Sequence, residues 1–135
     1  MSTPLLACPP LRWGILGGGR IANDFAQALK ILPSQHVAAI ATRSPSTAAT
    51  FASTHSIPTH YGSYDQLLDD PNVDIIYVAN VHKFRLPVGT SVLNKNKHVL
   101  LEKPFALNLA DATKYPELKV AHARPTVARD VRGCF

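Results

Sequence analysis

Leu11-Arg12-Trp13-Gly14-Ile15-Leu16-Gly17-Gly18-Gly19-Arg20-Ile21-Ala22 decides how this chain folds. An apolar run ends at Ile15-Leu16, and three glycines follow it. Ile21, Phe25, Leu29 and Leu32 then recur at helical spacing, with Asn23, Asp24, Gln27 and Lys30 between them. The stretch predicts a buried strand, a glycine turn and the start of a helix. The spacing Gly17-x-Gly19-x-x-Ala22 is the G-x-G-x-x-A form of a dinucleotide fingerprint. In that reading Gly17 allows the tight turn, and Gly19 lets backbone approach a pyrophosphate. Ala22 lets the helix pack close on the strand. The first-turn amides of Arg20, Ile21 and Ala22 would then face phosphate oxygens at the positive end of the helix dipole. The bland reading is a structural strand-to-helix turn, since glycine turns are common.

The rest of the chain alternates in the same way. Val37–Ala41 reads as a second strand, and Ser44-Pro45 as the cap and first residue of a helix running to His55. Ile57–Tyr61 is a weak third strand. Ser63 and Gln66 form a capping box for a short helix carrying Leu67 and Leu68. Asp70-Pro71-Asn72 is turn chemistry. Val73–Ala79 is the clearest strand, nearly all apolar, as a strand covered on both faces should be. A helix follows over Leu86–Leu93, then a fifth strand, His98–Leu101, and Asn108 can cap a helix from Leu109. Alternation of this kind implies a doubly wound parallel α/β sheet with right-handed crossovers.

Composition excludes several classes. The 135 residues suffice for one domain with a core, and no apolar run approaches the ~20 residues that span a bilayer. Residues 1–10 lack a basic n-region and are broken by proline, so they read as a loose leader. Cys8 and Cys134 form neither a disulfide framework nor a metal-ligand spacing, which points to a reducing cytoplasm and to no metal site. Of the formal charge of +5, the stretch from Thr113 onward supplies +3, from five Lys/Arg and two Asp/Glu. The remaining basic residues are scattered, without interleaved aromatics, which argues against nucleic acid as a partner.

Ligands of open parallel sheets bind outside the carboxyl ends of the strands. Thr42-Arg43-Ser44 ends the second strand, about 20 residues beyond the fingerprint, where NAD enzymes place an acidic residue for the ribose. No Asp or Glu lies between Asp24 and Asp65. A carboxylate would repel a 2′-phosphate, whereas Arg43 offers a charged fork and Ser44 a hydroxyl, so NADP is expected as cofactor. The plain alternative is a solvated arginine beside a helix cap. Asn80-Val81-His82 ends the fourth strand, either as a loop with a capping Asn and a surface His or beside the nicotinamide ribose. Glu102-Lys103-Pro104 ends the fifth. Lys103 is either an ordinary strand-end lysine or a group that orients a substrate hydroxyl and stabilises an alkoxide during hydride transfer.

These motifs carry a resemblance. The glycine pattern, Tyr77-Val78-Ala79 and His98-Val99-Leu100-Leu101-Glu102-Lys103-Pro104 together resemble the Gfo/Idh/MocA oxidoreductases. Leu11–Ile15, Tyr61-Gly62-Ser63-Tyr64 and Asp70–Asp74 are most similar to the branch of trans-1,2-dihydrobenzene-1,2-diol dehydrogenases, which overlaps with NADP-dependent D-xylose 1-dehydrogenases. The resemblance implies a Rossmann-type domain over residues 11–112 that binds NADP and transfers hydride with a sugar or cyclic diol. It implies cofactor contacts from Gly17, Gly19, Ala22, Arg43, Asn80, His82, Glu102 and Lys103, with Lys103 also touching substrate, and a Lys103–Pro104 peptide that is cis in some relatives. Family members often carry a histidine where Arg85 stands. They also continue into a second α/β domain that supplies the acid–base residue, most of the substrate pocket and a dimer surface. The likeness stops near Ala112-Thr113, and residues 113–135 read as an unrelated, irregular tail. A truncated or frame-altered product is therefore expected. It would be a dehydrogenase by descent, or alternatively a nucleotide-binding fragment without turnover, with uncovered apolar surface that favours a homo-oligomer.

Overall fold

The computed structural model describes residues 10–104 and 106–114. Strands and helices alternate: β1 Leu11–Leu16, α1 Arg20–Leu29, β2 Gln35–Ala41, α2 Pro45–His55, β3 Thr59–Tyr61, α3 Tyr64–Leu68, β4 Ile75–Val78, α4 Arg85–Asn94 and β5 His98–Leu101. A 3-10 turn, His82–Phe84, leads into α4, and a last helical turn covers 109–114. The strands form one parallel sheet in the order β3-β2-β1-β4-β5. The chain moves outward from β1 to β3, then crosses back to place β4 on the other side of β1. That reversal leaves a crevice at the carboxyl ends of β1 and β4.

Period-two alternation divides the strand residues between two cores. Trp13, Ile15, Ile40, Ile75 and Tyr77 face α1 and α2, against Ala22, Ala26, Phe51 and Ala52. Leu16, Ala39, Ala41, Ile76 and Val78 face α3 and α4, against Leu67, Leu68 and Val92. Phe25 seats α1 on the sheet. Its ring lies 5.2 Å from Trp13, edge to face, and 3.9 Å from Tyr77, stacked. Such pairs add about 0.5–1.5 kcal/mol each beyond the area they bury. At the opposite end of the sheet Arg12 clamps β1 to the approach to β4. Its Nε and Nη2 donate to the Asp74 carboxylate at 3.0 and 2.8 Å. Burial pushes the Asp74 carboxyl up, but the Arg12 hydrogen bonds and charge outweigh it and hold it below the usual range.

All five expected strands form, and Ser44 caps α2 by accepting from the Thr47 amide, with Pro45 in the first turn. Asn108 caps the last helical turn by accepting from the Asp111 amide at 2.8 Å. The Asp70 carboxylate accepts from the Asn72 amide in the expected turn. Three expectations are corrected. Ser63 makes no side-chain cap, so the Ser63/Gln66 capping box does not form. α1 ends at Leu29, and Leu32 falls in the following turn, 50% exposed, while Ile21 is 46% exposed at the open first turn. Phe25 and Leu29 face inward as expected, joined by Ala22 and Ala26, whose small side chains let the helix approach the sheet. The third strand is shorter than expected, since Ile57 is buried ahead of it and Pro58 has no amide to donate to a ladder. Residues 1–9 of the expected leader and 115–135 of the expected tail, with both cysteines, lie outside the described residues.

Gly17 carries the turn out of β1 with φ +100°, and a Cβ there would sit 3.1 Å from the Ala79 carbonyl oxygen. Gly17→Ala should cost about 1–3 kcal/mol of stability from the left-handed backbone alone, read by thermal or urea melts. His55 supplies a pH prediction. It is buried on Phe51, with Nε2 2.7 Å from Asn23 Oδ1. Burial first, then the charge of Lys30, lowers its pKa. The unfolded chain therefore binds the proton more readily, and the stability contributed by neutral His55 is lost as pH falls below the unfolded value. Melting temperature should drop between about pH 7.5 and about pH 5, and drop less in His55→Gln. An equal drop in both would remove the assignment.

Candidate functional site

A cleft of about 490 Å³ opens where the carboxyl ends of β1, β2 and β4 meet. Its floor is the glycine turn. The Gly17 amide donates to the Ala41 carbonyl at 2.9 Å, and the Ala79 amide donates to the Leu16 carbonyl at 2.9 Å. These bonds hold the three strand ends together under the start of α1. Gly19 caps that helix without a side chain, and α1 has no acidic residue in its first turn. A Cβ on Gly19 would meet nothing within 4 Å, so the space above it is open to a ligand. The positive end of the α1 dipole thus faces an uncovered concavity, the arrangement that suits a phosphate.

The wall from β2 is Thr42, Arg43 and Ser44, continued by Thr47 of α2. Thr42 is buried and its hydroxyl donates to the Ser44 carbonyl at 2.6 Å, which shapes the loop. Ser44 accepts from the Thr47 amide and pairs with Ser46, so its hydroxyl serves as the helix cap. Arg43 is exposed, with its guanidinium carbon 5.5 Å from the centre of the Phe84 ring. Among the described residues lining the cleft there is no carboxylate.

The wall from β4 holds Ala79, Asn80 and Val81. Both Nδ2 and Oδ1 of Asn80 are buried without a hydrogen-bond partner among the described residues. An unpaired buried amide costs about 1–3 kcal/mol for each such group, so a ligand that offers both a donor and an acceptor here would be favoured. The orphaned Asn80 amide, the open space at Gly19 and the uncapped α1 together fit a dinucleotide laid across the strand ends. His82 stands at the start of the 3-10 turn that follows.

Other expected residues stand apart from the cleft lining. Arg20 and Ile21 are exposed in the first turn of α1, and Ala22 is fully buried beneath it. Glu102 and Lys103 follow β5. Glu102 accepts from the Tyr77 hydroxyl at 2.5 Å, and its other oxygen is 3.3 Å from the Lys103 amide. Burial and then the Glu102 carboxylate push the Tyr77 hydroxyl well above its ordinary value, which keeps it a donor. The Lys103–Pro104 peptide is cis, and Lys103 is exposed. Arg85, which sequence reasoning left without a role, is buried on α4 and donates from Nη1 to the Pro104 carbonyl at 2.9 Å. Tyr77 stood in a strand motif and Arg85 at a departure from the family pattern, but their bonds to the turn after β5 join distant positions, and Phe84 carried no motif at all.

Comparison with known proteins gives this geometry a lineage. Residues 11–126 match the model of the oxidoreductase family Gfo/Idh/MocA, described as having an NAD-binding Rossmann fold. The match runs past the Ala112-Thr113 boundary read from the sequence. The chain is 48% identical over 103 residues to trans-1,2-dihydrobenzene-1,2-diol dehydrogenase of Danio rerio, covering 75% of this chain and 31% of that protein. It is 42% identical over 116 residues to the enzyme of the same name from Sus scrofa, covering 84% and 33%. The chain thus spans about a third of the length of these curated relatives. Among solved structures, a 3-ketoreductase from Actinomadura kijaniata in complex with TDP-benzene and NADP superposes with a TM-score of 0.78. It is 28% identical, over 84% of this chain and 36% of that one. The chain belongs to the Gfo/Idh/MocA oxidoreductase family, and its parallel sheet is that family's nucleotide-binding Rossmann domain.

Proposed function

We propose that this chain is the NADP-binding part of a dehydrogenase that moves hydride between NADP and a sugar or cyclic diol, of the D-xylose or trans-dihydrodiol type. The observation that carries the cofactor choice is the cleft wall at the end of β2. It presents Arg43 and no carboxylate where a ribose 2′-substituent would lie. An acidic residue there would favour a free 2′-hydroxyl, whereas a guanidinium favours a phosphate. The names of the similar dihydrodiol dehydrogenases support the substrate class. The NADP bound by the ketoreductase supports the cofactor.

Gly17, Gly19 and the first-turn amides of Arg20, Ile21 and Ala22 take the diphosphate. Thr42 shapes the β2 loop, while Arg43 and Ser44 face the adenosine ribose. Asn80 and His82 serve the nicotinamide side, where the unpaired Asn80 amide gains partners. The bound cofactor supplies the hydride acceptor. Glu102, fixed by Tyr77, sets the turn from which Lys103 projects. Oxidation of an alcohol removes hydride from its carbon and a proton from its hydroxyl, and that proton would pass to the acid–base residue expected from a second domain. Lys103 is assigned to hold that hydroxyl and stabilise the developing alkoxide. A cytoplasmic location, a small-molecule partner and self-association through exposed Leu100, Leu107 and Leu109 complete the proposal.

A second reading, in which the chain binds NADP with little or no turnover, is favoured by the cleft lining, which includes no carboxylate or histidine among the described residues. Two measurements separate the readings. Titration with NADPH and NADH should show preference for NADPH, and Arg43→Ala should weaken NADPH by about tenfold while leaving NADH nearly unchanged. An unaltered NADPH affinity would sink the assignment of Arg43. Steady-state assay with D-xylose and NADP⁺ should show turnover that falls roughly 100-fold in Lys103→Met. Binding without turnover supports the second reading, and the absence of both removes the two together.

A further inference from the structure

Phe84 draws two cations to one ring at the mouth of the cleft. The Arg43 guanidinium carbon is 5.5 Å from its centre and the Lys83 ammonium 5.0 Å. Both cations are exposed, and neither forms an ion pair or side-chain hydrogen bond with another described residue. Phe84 is half-buried. Its amide donates to the Val81 carbonyl at 3.0 Å within the 3-10 turn, and the residue caps α4. The two ring contacts bound the separation of the cations at about 10.5 Å, near a Debye length, so at low salt they repel, and the negative face of an aromatic ring offsets only part of that repulsion. An anion within reach of both relieves it. A phosphomonoester carries about −1.5 to −2 charges at neutral pH, which matches two cations, whereas a diphosphate linkage is already accommodated by the main-chain amides of α1.

We infer that Arg43 and Lys83 form a two-cation clasp for the 2′-phosphate of NADP, with Phe84 as the platform that holds both in place. Lys83 and Phe84 are thereby specificity-determining residues beside Arg43. They come from the connection after β4, about forty residues from the β2 end where such determinants are sought in sequence. The inference rests on the NADP reading above.

The test is titration of the full chain with NADPH and NADH, comparing wild type with Lys83→Gln, Phe84→Leu and Phe84→Tyr. Lys83→Gln should weaken NADPH about five- to tenfold and leave NADH within about twofold, and the difference should shrink as salt is raised. Phe84→Leu, which keeps apolar bulk but removes the ring, should lower the NADPH preference about threefold or more. Phe84→Tyr should retain it. Melting curves verify that each variant folds. If the NADPH-to-NADH ratio is unchanged in both Lys83→Gln and Phe84→Leu while Arg43→Ala still lowers it, the clasp is overturned and the cofactor assignment stands. If wild type binds neither nucleotide, or both equally, the cofactor assignment fails and the clasp fails with it.

Discussion

The close approach of three strand ends at Gly17 is the constraint from which the rest of the molecule follows. Main-chain bonds of 2.9 Å tie Gly17 to Ala41 and Ala79 to Leu16. A side chain at Gly17 would press on the Ala79 carbonyl, and the left-handed φ would strain it further. With β1, β2 and β4 gathered there, α1 has one place to begin. Its amide end opens directly over the junction, and Ala22 lets the helix lie close enough to seal the core below. Stability and binding geometry are therefore set by the same few atoms.

A second line of contact runs across the sheet from this junction. Phe25 on α1 stacks on Tyr77 in β4, and the Tyr77 hydroxyl reaches Glu102 beyond β5. Arg85 on α4 meets the same turn from the other layer through the Pro104 carbonyl. A helix on each face of the sheet thus bears on the Glu102-Lys103-Pro104 turn, one through a side-chain relay and one by direct contact. The cost is visible as well, since Arg85 Nε is buried without a partner among the described residues. A buried guanidinium with an unmet donor is unfavourable by itself. It is sustained here by a turn whose carbonyl has no closer donor among the described residues.

The polar side chains at the strand ends divide their work between structure and site. Thr42 and Ser44 satisfy backbone groups of the β2 loop and of α2, which leaves Arg43 as the side chain from that loop free to meet a ligand. Cap and cofactor readings of Thr42-Arg43-Ser44 are thus compatible, because a hydroxyl that accepts from an amide keeps a hydrogen of its own to donate. Asn80 differs from these, since no described residue completes its hydrogen bonds.

The parallel sheet, its five strands and the position of the cleft were legible in the sequence, because they rest on local signals. Alternating apolar runs, the glycine spacing and the Ser44-Pro45 helix start each act within a few residues. Their outcome is fixed by backbone sterics and by burial of periodic faces. Local signals misled where a three-dimensional neighbour decided the result. Ile21 and Leu32 fit a helical stripe but found no sheet beneath them, and Ser63 had cap chemistry without the geometry to use it. The Tyr77–Glu102 bond, the Arg85–Pro104 bond and the gathering of Arg43, Lys83 and Phe84 join residues some 20 to 40 positions apart. No periodicity encodes such distances. A strand that turns through glycine into a helix is written in the local residues, since one residue type tolerates that backbone. Which distant side chains surround the turn is a matter of packing, because the crossover connections, not the chain order, bring them together.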